Sequence, residues 1–250
     1  DGGREPQGAK REYVAQKITD PARAAYVRDM FSRIAPRYDL LNRVMTGGQD
    51  RRWRAITVAE TRLRRGGTAL DVATGTGDLA LALARVAGPE GRVVGIDFAE
   101  AMLEVARRKA HKRGVAVEFR HADALDLPFP SASFDAVTIG FGLRNVTDIP
   151  RALAEMARVL RPGGRLTCLE VTKPRVPLLA AGFYAYFDHV VPLLGAVLSP
   201  SREAYTYLPC SLGPFPDAPH LRHMMLEAGF RRVHLRLLNF GTIAVHVGLR

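Results

Sequence analysis

Residues 69–78 read Ala69-Leu70-Asp71-Val72-Ala73-Thr74-Gly75-Thr76-Gly77-Asp78, and the fold class follows from them. A short apolar run leads into a turn with two glycines. Leucines at helical spacing follow from Leu79 to Val86, so the unit is strand, tight turn, helix. Gly75 and Gly77 allow a sharp backbone turn and let a ligand approach the main chain. A second predicted strand, Arg92 to Ile96, ends at Asp97, 20 residues after Gly77. A carboxylate there accepts hydrogen bonds from both hydroxyls of a ribose. The whole unit is a nucleotide-binding arrangement.

The pattern continues outward in both directions. Ala101 to Ala110 reads as a helix and Val117 to Arg120 as a third strand, ending near Asp123. Asp135 to Ile139 is a fourth strand, and Ile149 to Leu160 a helix that the Arg161-Pro162-Gly163-Gly164 turn stops. Arg165 to Val171 is a fifth strand. Strands alternating with helices of this length predict βαβ units and a mostly parallel sheet. Val233 to Leu238 and Thr242 to Val247, joined by Asn239-Phe240-Gly241, read as a closing hairpin with antiparallel character. Helices over Ala22 to Ala35 and Arg51 to Leu63 precede any strong strand and look like a cap. The expected division is residues 1–67 for a tail and capping helices and 68–173 for a Rossmann-like core. Residues 174–225 form a helical, aromatic-rich lid or groove, and 226–250 the closing strands. There are no internal repeats.

Composition narrows the function. The chain has 250 residues, 47% hydrophobic and 24% charged, which excludes general disorder and fibrous repeats. Lys and Arg number 36 against 25 Asp and Glu, a formal charge of +11. Of that, +7 falls in residues 1–67, with 15 basic and 8 acidic side chains. Such a bias invites nucleic acid, anionic lipid or an anionic ligand. No dense Lys/Arg block marks a nucleic-acid footprint, so nucleic acid is not expected as a partner. Two cysteines, Cys168 and Cys210, are compatible with a reducing cytosol and give no zinc spacing, so no metal is expected. Asp1 to Lys17 is polar, without the apolar stretch of a signal peptide. Val176 to Leu198 is the most apolar stretch, but Asp188 and His189 divide it below the ~18 uninterrupted residues of a spanning helix. The expectation is a cytoplasmic protein, with peripheral contact at the inner face of the membrane.

Spacing alone admits a dinucleotide or S-adenosylmethionine. Two details favour the methyl donor. Asp71 lies inside the first strand, two residues before the turn, where a diphosphate would meet an unwelcome charge while a sulfonium and an α-amino group would not. Ala122-Asp123-Ala124 after the third strand suits an adenine amino group. The expected cofactor site comprises Asp71, Ala73, Gly75, Gly77, Asp97, Phe98, Asp123 and Ala124, with Met102 packed under adenine. Strand ends at the carboxyl edge are where open α/β sheets bind ligands.

Three runs then resemble one family: Phe31-Ser32-Arg33-Ile34-Ala35-Pro36-Arg37-Tyr38-Asp39-Leu40-Leu41-Asn42, the donor loop Asp71 to Asp78, and Gly140-Phe141-Gly142-Leu143-Arg144-Asn145-Val146 with Asp148. These are similar to the ubiquinone/menaquinone biosynthesis C-methyltransferases, from about Tyr26 to Gly248. The resemblance implies a class I S-adenosylmethionine-dependent methyltransferase fold, with a seven-stranded, mostly parallel sheet whose last strand is antiparallel. It implies methylation of a ring carbon of a polyprenylated hydroquinone. The Phe183-Tyr184-Ala185-Tyr186-Phe187 stretch is nearer the menaquinone-only members, so demethylmenaquinol is the expected substrate and a benzoquinol the alternative. Carried over by position, the donor contacts are Thr76, Asp97, Asp123 with Ala124, and Gly140. The pattern departs at Asp50, where the family often has His, and at Gly140, where some members have Ser.

A hydroquinone carbon ortho to a hydroxyl becomes a stronger nucleophile as that hydroxyl loses its proton. Arg144 is expected beside the methyl as phenolate stabiliser, because a guanidinium stays protonated and is a poor base. Asn145 would orient this shell. His189, Asp148, Tyr205 and the Tyr38–Asp39 pair are candidates for the proton acceptor. A homodimer is the default expectation. A dinucleotide-dependent reductase would leave Asp71 and Asp123 without a purpose. An amino-methylating nucleic-acid enzyme would need Asn or Asp, Pro, Pro and an aromatic where Gly140 to Leu143 stand.

Overall fold

The computed structural model describes residues 22–174, 176–191 and 211–250. The core is one seven-stranded sheet: β1 (Thr68–Val72), β2 (Arg92–Asp97), β3 (Glu118–His121), β4 (Phe134–Gly140), β5 (Leu160–Val171), β6 (Arg232–Leu238) and β7 (Ile243–Leu249). Its order is β3-β2-β1-β4-β5-β7-β6. The first five strands are parallel, and β7 is antiparallel to both β5 and β6. Leu70 of β1 lies between Val94 of β2 and Val137 of β4, so the strand order reverses beside β1. The crevice at such a reversal opens at the carboxyl ends of the strands.

Helices α1 (Ala22–Ile34), α2 (Tyr38–Thr46) and α3 (Asp50–Glu60) precede the sheet. The crossover helices are α4 (Asp78–Ala87), α5 (Glu100–Arg113) and α6 (Ile149–Val159); α7 (Pro177–Ala185) and α8 (Ala218–Glu227) follow β5. Both sheet faces are buried, as continuous apolar strands require. One layer joins Leu70, Val94, Phe134 and Ile139 to Leu153 and Met156 of α6. The other packs Ala69, Val93 and Ala136 under Leu79, Leu83 and Ala87 of α4. The cap is fastened by its own apolar patches. Val27, Met30, Ile34 and Leu41 meet Ala99 and Met102, while Trp53 of α3 meets Leu169, Val171 and Val245.

Three expectations are corrected. Between the two predicted capping helices a third stands over Tyr38–Thr46, and Gly47 closes it in the left-handed conformation at φ +58°. Arg161 to Gly164 does not stand between helix and strand but lies inside β5. The register passes from Phe134↔Leu160 to Ala136↔Arg165, and Gly163 at φ +81° absorbs the extra residues as a bulge. Residues 218–227 belong with the closing strands rather than the lid, because Met225 and Phe230 are buried in the sheet core and His246 Nε2 lies 2.8 Å from the Ala218 carbonyl. The N-terminal tail, residues 192–198 of the apolar stretch, Tyr205 and Cys210 lie outside the described residues. Among the described residues no helix is long and apolar enough to cross a membrane.

Candidate active site

The glycine loop is organised from beneath by Asp71. One of its oxygens accepts the Thr138 hydroxyl at 2.6 Å; the other accepts the Thr74 hydroxyl at 2.6 Å and the Ala80 N–H at 3.1 Å. Burial pushes its carboxyl up to about 6, against the pull of those hydrogen bonds. Asp71 is therefore a brace under the turn and does not face the cleft, contrary to the expectation that it meets the ligand's positive charge. Gly77 is also structural. It holds φ +82° at the start of α4, and a Cβ there would lie 3.0 Å from Ala106 Cβ and from the Phe119 ring.

The remaining loop residues open a cleft at the carboxyl edge. Ala73, Gly75, Asp97, Phe98, Met102 and Gly140 line it. Asp123, Ala124 and Asn145 complete the wall, with Phe31 and Tyr38 closing it from the cap. Asp97 accepts the Gly75 N–H at 2.8 Å on one oxygen and the Ala99 N–H at 2.9 Å on the other. An ionised carboxylate has about four acceptor positions, so capacity for two ribose hydroxyls is left. Burial raises the Asp97 carboxyl above its ordinary value while those backbone donors oppose the rise. Asp123 accepts the Leu125 N–H at 2.9 Å, which sets the loop after β3. At Gly140 a Cβ would stand 2.6 Å from Leu79 Cδ1, so the wall there is backbone only. These acceptors and apolar surfaces fit an adenosyl group with a ribose at Asp97.

Thr76 was expected against the donor. Its hydroxyl instead donates to Asp39 at 2.5 Å, and Lys109 Nζ lies 3.2 Å from it. Lys109 also bridges Asp39 at 2.7 Å and Asp78 at 2.6 Å. Lys109 and its neighbours hold Asp78 below the usual carboxylate range, although burial pulls the other way. This network ties the donor loop to α2 and α5, and its signal in the sequence was Asp39 within the first signature run.

A second, more apolar cavity of about 660 Å³ adjoins the cleft. Tyr38 and Phe141 line both. Trp53, Leu178, Phe183, Tyr186 and Ile243 supply its walls. Its polar lining includes Arg144 and the Asp50–Arg54 ion pair. Burial raises the Tyr38 hydroxyl, so it stays a neutral phenol, while the Asn42 side chain and Arg144 pull it back. Arg144 rides a one-turn 3-10 helix, Leu143–Asn145, after Phe141 at φ +58°. Its guanidinium pairs closely with buried Glu170 at the end of β5. The sequence reading missed Glu170; the available signal was a lone acid in the otherwise apolar Cys168-Leu169-Glu170-Val171.

Two of the expected acid–base candidates are elsewhere. Asp148 is exposed and caps α6 by accepting the Arg151 N–H at 3.0 Å. Its place four residues after Arg144 is thus the start of a helix. His189 is exposed on the turn after α7 and lines neither cavity, so it is no buried base. The Asn145 amide reaches the Phe141 carbonyl at 3.5 Å, at the wall of the cleft.

A strand-end cleft with a glycine turn and acids at the ends of β2 and β3, opening onto an apolar cavity, is the arrangement of a methyltransferase that takes S-adenosylmethionine as donor. Known proteins agree. A solved S-adenosylmethionine-dependent methyltransferase from Aquifex aeolicus shares the fold, with a TM-score of 0.56 at 22% identity over 78% of this chain and 88% of that one. A Thermus thermophilus protein named demethylmenaquinone methyltransferase is 52% identical over 221 residues, 88% of this chain and 100% of that protein. A Pseudomonas entomophila protein named ubiquinone/menaquinone biosynthesis C-methyltransferase UbiE is 44% identical over 237 residues, 94% of this chain and 93% of that protein. The model of the ubiE/COQ5 methyltransferase family matches residues 19–250. The chain belongs to that family.

Proposed function

We propose that this enzyme methylates a ring carbon of a polyprenylated naphthohydroquinone, converting demethylmenaquinol to menaquinol. The observation that carries the reading is the apolar cavity meeting the donor cleft at Tyr38 and Phe141. A flat, greasy ring held there faces the donor across a short gap, and near-attack placement at about 3–3.5 Å is the first requirement of transfer. S-adenosylmethionine supplies an electrophilic methyl on a sulfonium when bound. The chain's own residues do the rest. The apolar walls keep water from the reacting atoms. The Arg144 guanidinium donates to the ring hydroxyl and stabilises negative charge as the hydroxyl ionises. Tyr38, kept neutral by burial, offers a second donor at the junction.

The long tail of such a substrate supports a reaction at the inner membrane surface of the cytoplasm. Leu178 and Phe240, each 83% exposed at the cavity mouth, support peripheral contact there. The 44% identical relative named for ubiquinone as well as menaquinone favours benzoquinol as a second acceptor. The test is methyl incorporation from labelled S-adenosylmethionine into a chemically reduced short-chain demethylmenaquinol, with the demethylated benzoquinol and total tRNA in parallel. Naphthoquinol alone as product supports the proposal; both quinols mean dual specificity. No quinol product with the donor still bound, or label in RNA, sinks the substrate reading.

A further inference from the structure

We propose that Glu170 is a positioning residue for the methylation: it aims Arg144 into the apolar cavity and cancels its charge, and so sets the pH at which the acceptor hydroxyl ionises. The inference rests on the hydroquinone reading above.

Glu170 does not itself line the cavity, but Arg144 does. The carboxylate is 1% exposed at the carboxyl end of β5, behind the guanidinium. One oxygen takes Arg144 Nη1 and the Val171 N–H at 3.0 Å; the other takes the Arg144 backbone N–H at 3.3 Å. A single acid thus holds both the side chain and the main chain of Arg144. It pins the 3-10 turn that also carries Asn145 into the donor cleft. Buried acids are seldom kept in an apolar strand unless a partner requires them.

The charge consequence is specific. Among the described residues the ionisable groups facing the cavity are Tyr38 on α2, Asp50 and Arg54 on α3, Arg144 after β4 and Tyr186 after α7, with Asp97 on the donor side. Behind the wall, β5 also carries the buried thiol of Cys168, whose ionisation is opposed first by burial and then by Glu170. Asp50 and Arg54 cancel one another, and Glu170 and Arg144 do the same. The wall therefore offers strong donors with little net charge, which suits a neutral hydroquinone entering and an ionised one reacting. Replacing the carboxylate by an amide adds one unit of positive charge to the wall. An added opposite charge within ~4–6 Å lowers an acid's pKa by about 1–3 units.

The test compares Glu170→Gln and Glu170→Asp with the wild type. In Glu170→Gln the rising acid limb of kcat/KM should move at least about one unit to lower pH. Its plateau kcat should drop at least about tenfold as the guanidinium loses its aim. Glu170→Asp keeps the charge, so its limb should stay at the wild-type pH while kcat falls. A merely structural role would lower rates in both variants without moving either limb, and that result overturns the proposal. If Glu170→Gln does not fold, the ultraviolet titration of 1-naphthol bound to Glu170→Asp and to Arg144→Met decides. Naphthol ionisation unmoved in Glu170→Asp but shifted to higher pH in Arg144→Met supports the inference, and no difference between the variants refutes it. Absence of quinol turnover by the wild type would defeat the substrate reading alone, since the naphthol titration needs no methyl transfer.

Discussion

The donor cleft and the apolar cavity share Tyr38 and Phe141 yet are built in opposite ways. The cleft is made by sheet topology: Ala73, Asp97, Asp123 and Gly140 stand at or just past the ends of four neighbouring parallel strands. The cavity is assembled from distant segments of chain, with Asn42 and Trp53 from the cap, Arg144 from the core, Leu178 from α7 and Phe240 from the β6–β7 turn. A topological site depends on a few backbone positions and tolerates little change. An assembled site depends on the docking of separate pieces, so its substrate range is adjustable without touching donor binding. Variants should therefore separate the two.

The largest effect is expected at the topological site. Asp97→Ala removes the carboxylate whose spare acceptor positions fit two ribose hydroxyls, each charge-assisted bond being worth about 1.5–3 kcal/mol. S-adenosylmethionine affinity should fall about 10²- to 10⁴-fold by titration calorimetry; a loss under about tenfold would detach Asp97 from the donor. Next comes Arg144→Met in the assembled site. Its kcat should fall about 10²- to 10³-fold while donor affinity stays at the wild-type value. Loss of donor affinity in this variant would mean that the two regions are one.

The third effect concerns stability. The Asp71 carboxyl titrates at about 6 in the folded chain and near ~3.9 when unfolded. Between pH 4 and 6 the folded state therefore holds a proton that the unfolded state has released. Stability from this group is full below that window and declines as pH rises through it, by on the order of 3 kcal/mol. Asp71→Asn should remove this slope. Urea unfolding of both proteins at pH 4.5 and 7.5 reads it as a difference of differences, and equal changes in the two would show that Asp71 carries no such linkage.

The same contrast explains what the sequence disclosed. Strand ends are legible because alternation of strand and helix puts each terminal residue at one edge, and Asp97, Asp123 and Gly140 all fall there. Side-chain direction is not legible. Asp71 and Thr76 are in the right loop, but their polar atoms turn to Thr138, Ala80 and Asp39, partners 67, 9 and 37 residues away. The cavity was foreseen only as a greasy region. Proximity along the chain put Asp148 beside Arg144, whereas the partner that pairing across the sheet supplies is Glu170, 26 residues on. Neighbours in parallel sheets come from crossovers, and residue spacing does not encode them.

A smaller effect is expected where the regions are joined. Lys109 bridges Asp39 of the cap and Asp78 of the donor loop, mostly out of solvent. Lys109→Met removes the cation that joins the Asp39 and Asp78 carboxylates, so the cap should dock less firmly. Donor affinity should weaken by about three- to tenfold, in line with the loss of about 1 kcal/mol from a part-buried pair. The weakening should grow less on adding salt to the wild type than on making the substitution, because screening acts mainly on exposed charges.

The smallest effect belongs at the rim of the assembled cavity. Phe240 is 83% exposed, has φ +55°, and lines the same cavity as Leu178. An aromatic side chain left in water on a left-handed backbone brings no stability to the fold, and Phe240→Ser should leave the melting temperature within about 2 °C of wild type. What the ring offers is apolar area to a tail leaving the cavity or to the lipid that holds it. Removing it should raise KM about two- to threefold for a quinol with a prenyl tail, corresponding to burial of a minor part of a side chain worth about 1.5–3 kcal/mol. A tail-less quinol should show no change in KM or kcat. Equal losses with both substrates would place Phe240 at the ring instead, and the cavity would then end where the tail was thought to begin.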